Sequence, residues 1–139
     1  MSQENVGAAN IARVRSHLAA LNERDLDRYL AGCTEDFELW SLLSALEGPY
    51  IGAEGVQRFF GDVKDAAPDH SKATVRIEPV GEDRVLSVDR WTATGRSSEV
   101  GQGEGIEIAT VYEFRGDKIR RIRVFADVQE ALAAVGLEK

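Results

Sequence analysis

The last third of the chain constrains its fold most. The tract GIEIATVYEFRGDKIRRIRVFADVQEAL reads as a long β-hairpin feeding a short helix. Gly116-Asp117 marks the turn, and β-branched and aromatic residues flank it over 106–114 and 118–125. Asp127 then opens a terminal helix, with Glu130 at the spacing of a reciprocal cap. A lone hairpin is marginal in water, so these strands need partners and a cover for one face.

The upstream sequence offers both. Ile11, Val14, Leu18 and Leu21 form one apolar stripe at helical spacing. Asp25 is placed to cap a second short helix through Leu30. Residues 37–43 read as a strand, and Gly48-Pro49 interrupts the chain. Gly52 leads into a third helix with Val56, Phe59, Phe60 and Val63 on one face, a region that Pro68 ends. Residues 73–80 read as a strand, Gly81-Glu82-Asp83 as a turn, and 84–94 as the next strand, with Leu86 and Val88 on one face. Gly101, Gly103 and Gly105 fall in a loose connection. Helices first and antiparallel strands after them predict one α+β domain over residues 1–139.

Charge and cysteine content narrow the function. The 139 residues carry a net charge of −7, which disfavours a phosphate backbone as partner, so no nucleic acid is expected. Lys118, Arg120, Arg121 and Arg123 lie on one strand, where alternation sends neighbours to opposite faces and predicts a solvated or interface strand rather than an anion site. Cys33 is the only cysteine, which excludes an intrachain disulfide and a thiolate metal cluster. No apolar run reaches the length of a membrane span, and MSQENVGAAN lacks the apolar core of a signal peptide. The expectation is a cytoplasmic protein with no membrane partner.

Two tracts carry a family resemblance: PYIGAEGVQRFF and VYEFRGDKIRRIRVFADVQEALAAVGL. With the element order, they make the chain resemble the NTF2-like, or SnoaL-like, superfamily. The resemblance implies a cystatin-like α+β barrel: three N-terminal helices in the concave face of a bent, mostly antiparallel sheet, and a short C-terminal helix. It also implies a cone-shaped apolar cavity and homodimers packed through the outer sheet face. It does not imply one reaction, because the fold hosts isomerases, hydrolases, cyclases, dehydratases and binding domains.

The ketosteroid isomerases share this fold and give a sharper comparison. Matching RSHLAALNERDLDRYLAGCTEDFELWS to their pattern puts their pocket tyrosine at His17 and their aspartate base at Ser41. Matching the final hairpin puts their proton-donating aspartate at Thr110. A serine hydroxyl is far too weakly basic to take a proton from carbon as a carboxylate does, so ketosteroid isomerase activity is disfavoured.

The remaining candidates have two readings each. His17, at the edge of the first helix stripe, is either a pocket acid or base or a boundary histidine bonded to a carbonyl. Trp40, Tyr50, Trp91 and Tyr112 are either the walls of a small-molecule site or plain core. Asp89 and Arg90 point to opposite faces of one strand, and the inward one is either a titrating group or half of a salt bridge. Asp127 fits a helix cap better than a base. His70 follows Pro68-Asp69 and reads as exposed loop; two distant histidines make no metal motif, so neither metal nor cofactor is expected. GQGEG lacks the spacing and flanking elements of a nucleotide loop.

These residues support two functions. One is a cofactor-independent cyclase, isomerase, dehydratase or hydrolase acting on an apolar or polycyclic small molecule. It would use His17 for proton transfer, Ser41 and Thr110 as hydrogen-bonding groups, and Trp40, Tyr50, Trp91 and Tyr112 as walls. The other is a non-catalytic ligand-binding or dimeric interaction module.

Overall fold

The computed structural model describes residues 3–41, 48–66, 70–92 and 106–136. Its elements run α1 (Gln3–Asn22), α2 (Leu26–Ala31), β1 (Cys33–Trp40), β2 (Tyr50–Ile51), α3 (Gly52–Ala66), β3 (Ser71–Val80), β4 (Arg84–Thr92), β5 (Ile106–Arg115), β6 (Lys118–Phe125) and α4 (Val128–Ala134). The strands form one sheet in the order β2-β1-β6-β5-β4-β3. Among the described residues only β1 and β6 pair in parallel; the other neighbours are antiparallel. The sheet does not close, because β2 and β3 are its edges. This is the α+β architecture the sequence led us to expect.

Local chemistry explains most boundaries. Asp25 caps α2 by accepting from the Arg28 amide at 3.1 Å. Asp127 does the same for α4, accepting from the Gln129 amide at 2.8 Å. Gly52 enters α3 with φ +64°, a conformation that strains any side chain. Two details differ from expectation. β1 spans Cys33–Trp40 rather than 37–43, and the two-residue edge strand β2 is too short to leave a periodic signal. Residues 42–43, Pro68, residues 93–94 and the glycines of GQGEG lie outside the described residues.

Each face of the sheet has its own core. On the inner face, Val14, Leu18 and Leu21 of α1 and Tyr29 of α2 join Val56 and Phe59 of α3. These pack on Phe37, Leu39, Val85, Tyr112, Phe114, Ile119 and Ile122. On the outer face, Ala131, Leu132 and Val135 at the C-terminus pack on Leu86, Val88, Ala109 and Val111. β4 and β5 are therefore covered on both sides, by α1 within and by α4 behind. Asn10 ties α1 to the β3–β4 turn by donating to the Glu82 carbonyl at 3.0 Å.

A bulge overturns one sequence expectation. Against β5, Glu113 pairs with Arg121 but Phe114 pairs with Ile119, so Arg120 is the extra residue. Alternation is broken there, and the arginines do not divide between the faces. Arg120, Arg121 and Arg123 instead share one network with Asp36, Glu38 and Glu113, in ion pairs of 3.1–3.3 Å. The slip also lets Ile119 and Ile122, three residues apart, both enter the inner core.

Candidate functional site

The inner face of the sheet is not uniformly apolar. Strand pairing places a polar stripe across β3, β4 and β5. Thr74 pairs with Asp89 in register, Ser87 pairs with Thr110, and Lys72 pairs with Trp91. Alternation along β4 puts Ser87, Asp89 and Trp91 on the face that Val85 gives to the inner core. Asp89 is completely buried, and Ser87 and Thr110 are nearly so. The Ser87 hydroxyl donates to Asp89 Oδ2 at 3.0 Å. The Thr74 and Thr110 hydroxyls also favour the charged carboxylate, although Asp89 Oδ1 and Thr110 Oγ1 have no partner in ordinary hydrogen-bond geometry.

His17 faces this stripe from α1. It is 6% exposed, and neither ring nitrogen has a hydrogen-bond partner among the described residues. Its ring lies 3.8 Å from the Tyr29 ring, centroid to centroid, and meets Tyr112 edge-on at 6.2 Å. A buried imidazole without partners is costly unless something else satisfies it. Its place in the helix stripe made it a candidate, and the structure shows it deeper than a boundary residue.

The electrostatics follow from burial. Desolvation, helped by the charge of Lys72, holds His17 down at about 3, so the ring is neutral. Burial pushes Asp89 upward, opposed by Lys72 and the three hydroxyls. Lys72 is partly buried as a residue, but its ammonium is desolvated and lowered, with Asp89 opposing. Tyr29 and Tyr112 are raised by burial and keep their protons. Cys33 is pushed up to about 12 by burial, so its thiol stays protonated; it donates to the Tyr29 carbonyl.

The other sequence candidates separate. Thr110 and Tyr112 belong to the stripe; the Ser87 hydroxyl favours the ionised phenol of Tyr112. Trp91 stands at the stripe's end, opposite Lys72. Ser41 lies just past β1 and is partly buried. Tyr50 is buried at the sheet edge, where its hydroxyl donates to Asp62 at 2.8 Å and its ring packs on Phe59. Trp40 is 40% exposed and donates to Glu38 at 3.1 Å on the outer face, so it is not a wall of this site. His70 is buried, not an exposed loop residue, and its carbonyl accepts from Arg24 at 2.8 Å. Of Asp89 and Arg90, the aspartate faces inward; Arg90 pairs with Glu107. Lys72, Tyr29, Thr74 and Ser87 were not singled out from the sequence. The short polar residues 87 and 89 alternating with Leu86 and Val88 were the available signal.

A SnoaL-like domain model matches residues 14–122, most of the chain and every residue of the stripe. The chain belongs to the SnoaL-like family. No curated protein matches it. The solved structures that share the SnoaL-like chain's fold include these three. A cystatin-fold protein from Novosphingobium aromaticivorans is 22% identical with a TM-score of 0.68, over 84% of this chain and 97% of that one. TerC, co-crystallised with polyporic acid, is 20% identical with a TM-score of 0.73, over 92% and 98%. A ketosteroid-isomerase-like protein from Kribbella flavida is 16% identical with a TM-score of 0.68, over 86% and 78%. At such identities the SnoaL-like fold is shared and the chemistry is not thereby transferred. No helix among the described residues is long and apolar enough to cross a membrane.

Proposed function

We propose that this SnoaL-like chain binds an apolar, ring-containing small molecule on the inner face of its sheet and moves a proton on it. Asp89 is the base and His17 the hydrogen-bonding group. The observation that carries this reading is His17, buried on the side of the sheet that also holds the fully buried Asp89, with neither ring nitrogen partnered among the described residues. Neutral imidazole is a donor at one nitrogen and an acceptor at the other, so it suits a ligand carbonyl or hydroxyl. The proton-carrying role shifts from His17 to Asp89 because a ring held near 3 is a weak base, whereas burial strengthens the carboxylate as one. Abstraction of a proton beside a carbonyl underlies isomerisation, cyclisation and dehydration alike. That TerC was crystallised with polyporic acid supports an organic small molecule as occupant.

A second reading is binding without turnover. Ser41 and Thr110 favour it, since they supply hydroxyls where the related isomerases carry carboxylates. Deuterium exchange into a panel of cyclic ketones, followed by NMR, separates the two. The enzyme reading expects exchange that Asp89→Asn slows about 100-fold or more, the usual range for a general base. Binding of the ketones with no exchange leaves the binding module.

A further inference from the structure

Ser87 and Asp89 stand two residues apart on β4, so alternation sends both side chains to the inner face. Their neighbours Leu86 and Val88 are buried in the outer core with Ala131, Leu132 and Val135. β3 and β5 flank β4 through this stretch: Thr74 pairs with Asp89, and Thr110 pairs with Ser87. The backbone that carries the two polar side chains is thus held by a strand on each side and packed from behind.

A carboxylate has two equivalent oxygens and a loose last torsion. In Asp89 one oxygen is taken. Ser87 Oγ donates to Oδ2 at 3.0 Å, and both residues are buried. The other oxygen, Oδ1, is buried with no partner among the described residues. A buried acceptor left unpaired is costly, so it marks where an incoming group is met. The Ser87 hydroxyl has a single hydrogen. Spent on Oδ2, it leaves none for a ligand. Thr110, across the ladder, is the opposite case: its buried Oγ1 has no partner among the described residues.

We propose that Ser87 is a positioning residue for the base: by holding Oδ2 it fixes the plane of the Asp89 carboxylate and leaves Oδ1 as the oxygen that takes the proton. This rests on the proton-transfer reading above and adds which oxygen reacts and what holds it. During exchange on a ketone the C–H bond breaks, its electron pair stays on the ketone, and the proton goes to Oδ1. Solvent replaces that proton by a deuteron, which returns to the same carbon.

Two effects separate this role from packing. The hydrogen bond favours the charged carboxylate, so its loss raises the pH at which Asp89 becomes a base. It also restrains the carboxylate, so its loss slows the chemical step more than it weakens binding. The titratable groups that face Asp89 from other elements are Lys72 on β3, Tyr112 on β5 and His17 on α1. Changes at Ser87 leave all three in place.

The probes are 1-tetralone and the other cyclic ketones of the panel, with exchange followed by NMR against pH and ketone concentration. Ser87→Ala is expected to lower kcat about tenfold or more, with KM within about twofold, and to move the rising limb of the pH profile up by about one unit. Ser87→Cys keeps nearly the same size but is a weak donor, so it is expected to fail in the same way, whereas a packing role would spare it. Ser87→Thr restores the hydroxyl and is expected to recover most of the rate and of the pH profile. Circular dichroism checks that each variant is folded, and Ser87→Cys carries the test if Ser87→Ala is not. An unchanged kcat and pH profile in the folded variants, or a loss confined to KM, overturns the role of Ser87 and leaves the proton-transfer reading to the Asp89→Asn comparison. No exchange by wild type with any ketone overturns both.

Discussion

The His17 imidazole lies against the Tyr29 phenol ring, their centroids 3.8 Å apart and their planes tilted by 45°. Tyr29 takes water away from the imidazole without giving it a hydrogen bond. That contact, with the nearby Lys72 charge, is why His17 stays neutral far below its ordinary range.

Stability should therefore fall with acid in a defined window. The unfolded chain protonates this histidine near 6.5, and the folded chain only near 3. Between those values unfolding takes up a proton, so His17 costs stability as the pH falls from about 6.5 towards 3. Asp89 works the other way, because its folded pKa is raised. His17→Gln removes the histidine's share, on the order of a few kcal/mol at the acid end. Urea titrations of both proteins at pH 7 and pH 4 check this. An equal acid loss in both would contradict it.

Turnover should depend on the same side chain for a different reason. If the chain is an enzyme, His17→Ala is expected to cut turnover by roughly 100-fold, with a smaller effect on binding. Its imidazole is the group placed to bond substrate at the transition state. Steady-state kinetics on whichever ketone shows exchange provide the measurement, and unchanged turnover would remove His17 from the mechanism.

Trp40 should matter little to the ligand. Its indole lies on the outer face and holds Glu38 in its charged form. Trp40→Ala is expected to leave cyclic-ketone affinity within about twofold and to change stability by at most ~1 kcal/mol. A tenfold loss of affinity would return Trp40 to the site.

Gly55 should resist substitution. A methyl there would stand 2.8 Å from the Tyr50 carbonyl carbon and 3.1 Å from its Cα, so α3 would have to move off β2. Gly55→Ala is expected to cost about 1–3 kcal/mol through overpacking. Equilibrium denaturation measures this, and a neutral result would show that the helix gives way easily.

We also propose a homodimer formed through the outer face near Arg121, Arg123 and Phe125. α4 covers the back of β4 and β5, while the charged network on β1 and β6 remains open. Light scattering at tens of micromolar, on the order of ordinary dimer dissociation ranges, is expected to give twice the chain mass. A monomer would refute it.

The sequence made the hairpin legible because the Gly116-Asp117 turn and its flanks are local signals. β6 runs over the residues expected of it, 118–125. Stripes at helical spacing likewise located α1 and α3. What stayed hidden depended on register. Whether Asp89 or Arg90 faces inward is set by which partner strand each meets, and no local pattern states that. The Arg120 bulge is a long-range fit between β5, β6 and β1, so strict alternation misassigned the arginines. Trp40 was assigned to a wall on chemical type alone, and its parity on β1 turned it outward.

Because α4 backs β4 and β5, those two strands are held from behind as well as through Val85, Tyr112 and Phe114 in the inner core. Burying Leu86 and Val111 behind the sheet contributes about 1.5–3 kcal/mol each, whatever stands at positions 87, 89 and 110 on the other side. The polar positions 87, 89 and 110 thus sit on strands anchored from both faces. Exchanging Thr110 for other small polar residues should redirect what the protein recognises long before it threatens folding. One scaffold can in this way pass between unrelated reactions by a few substitutions.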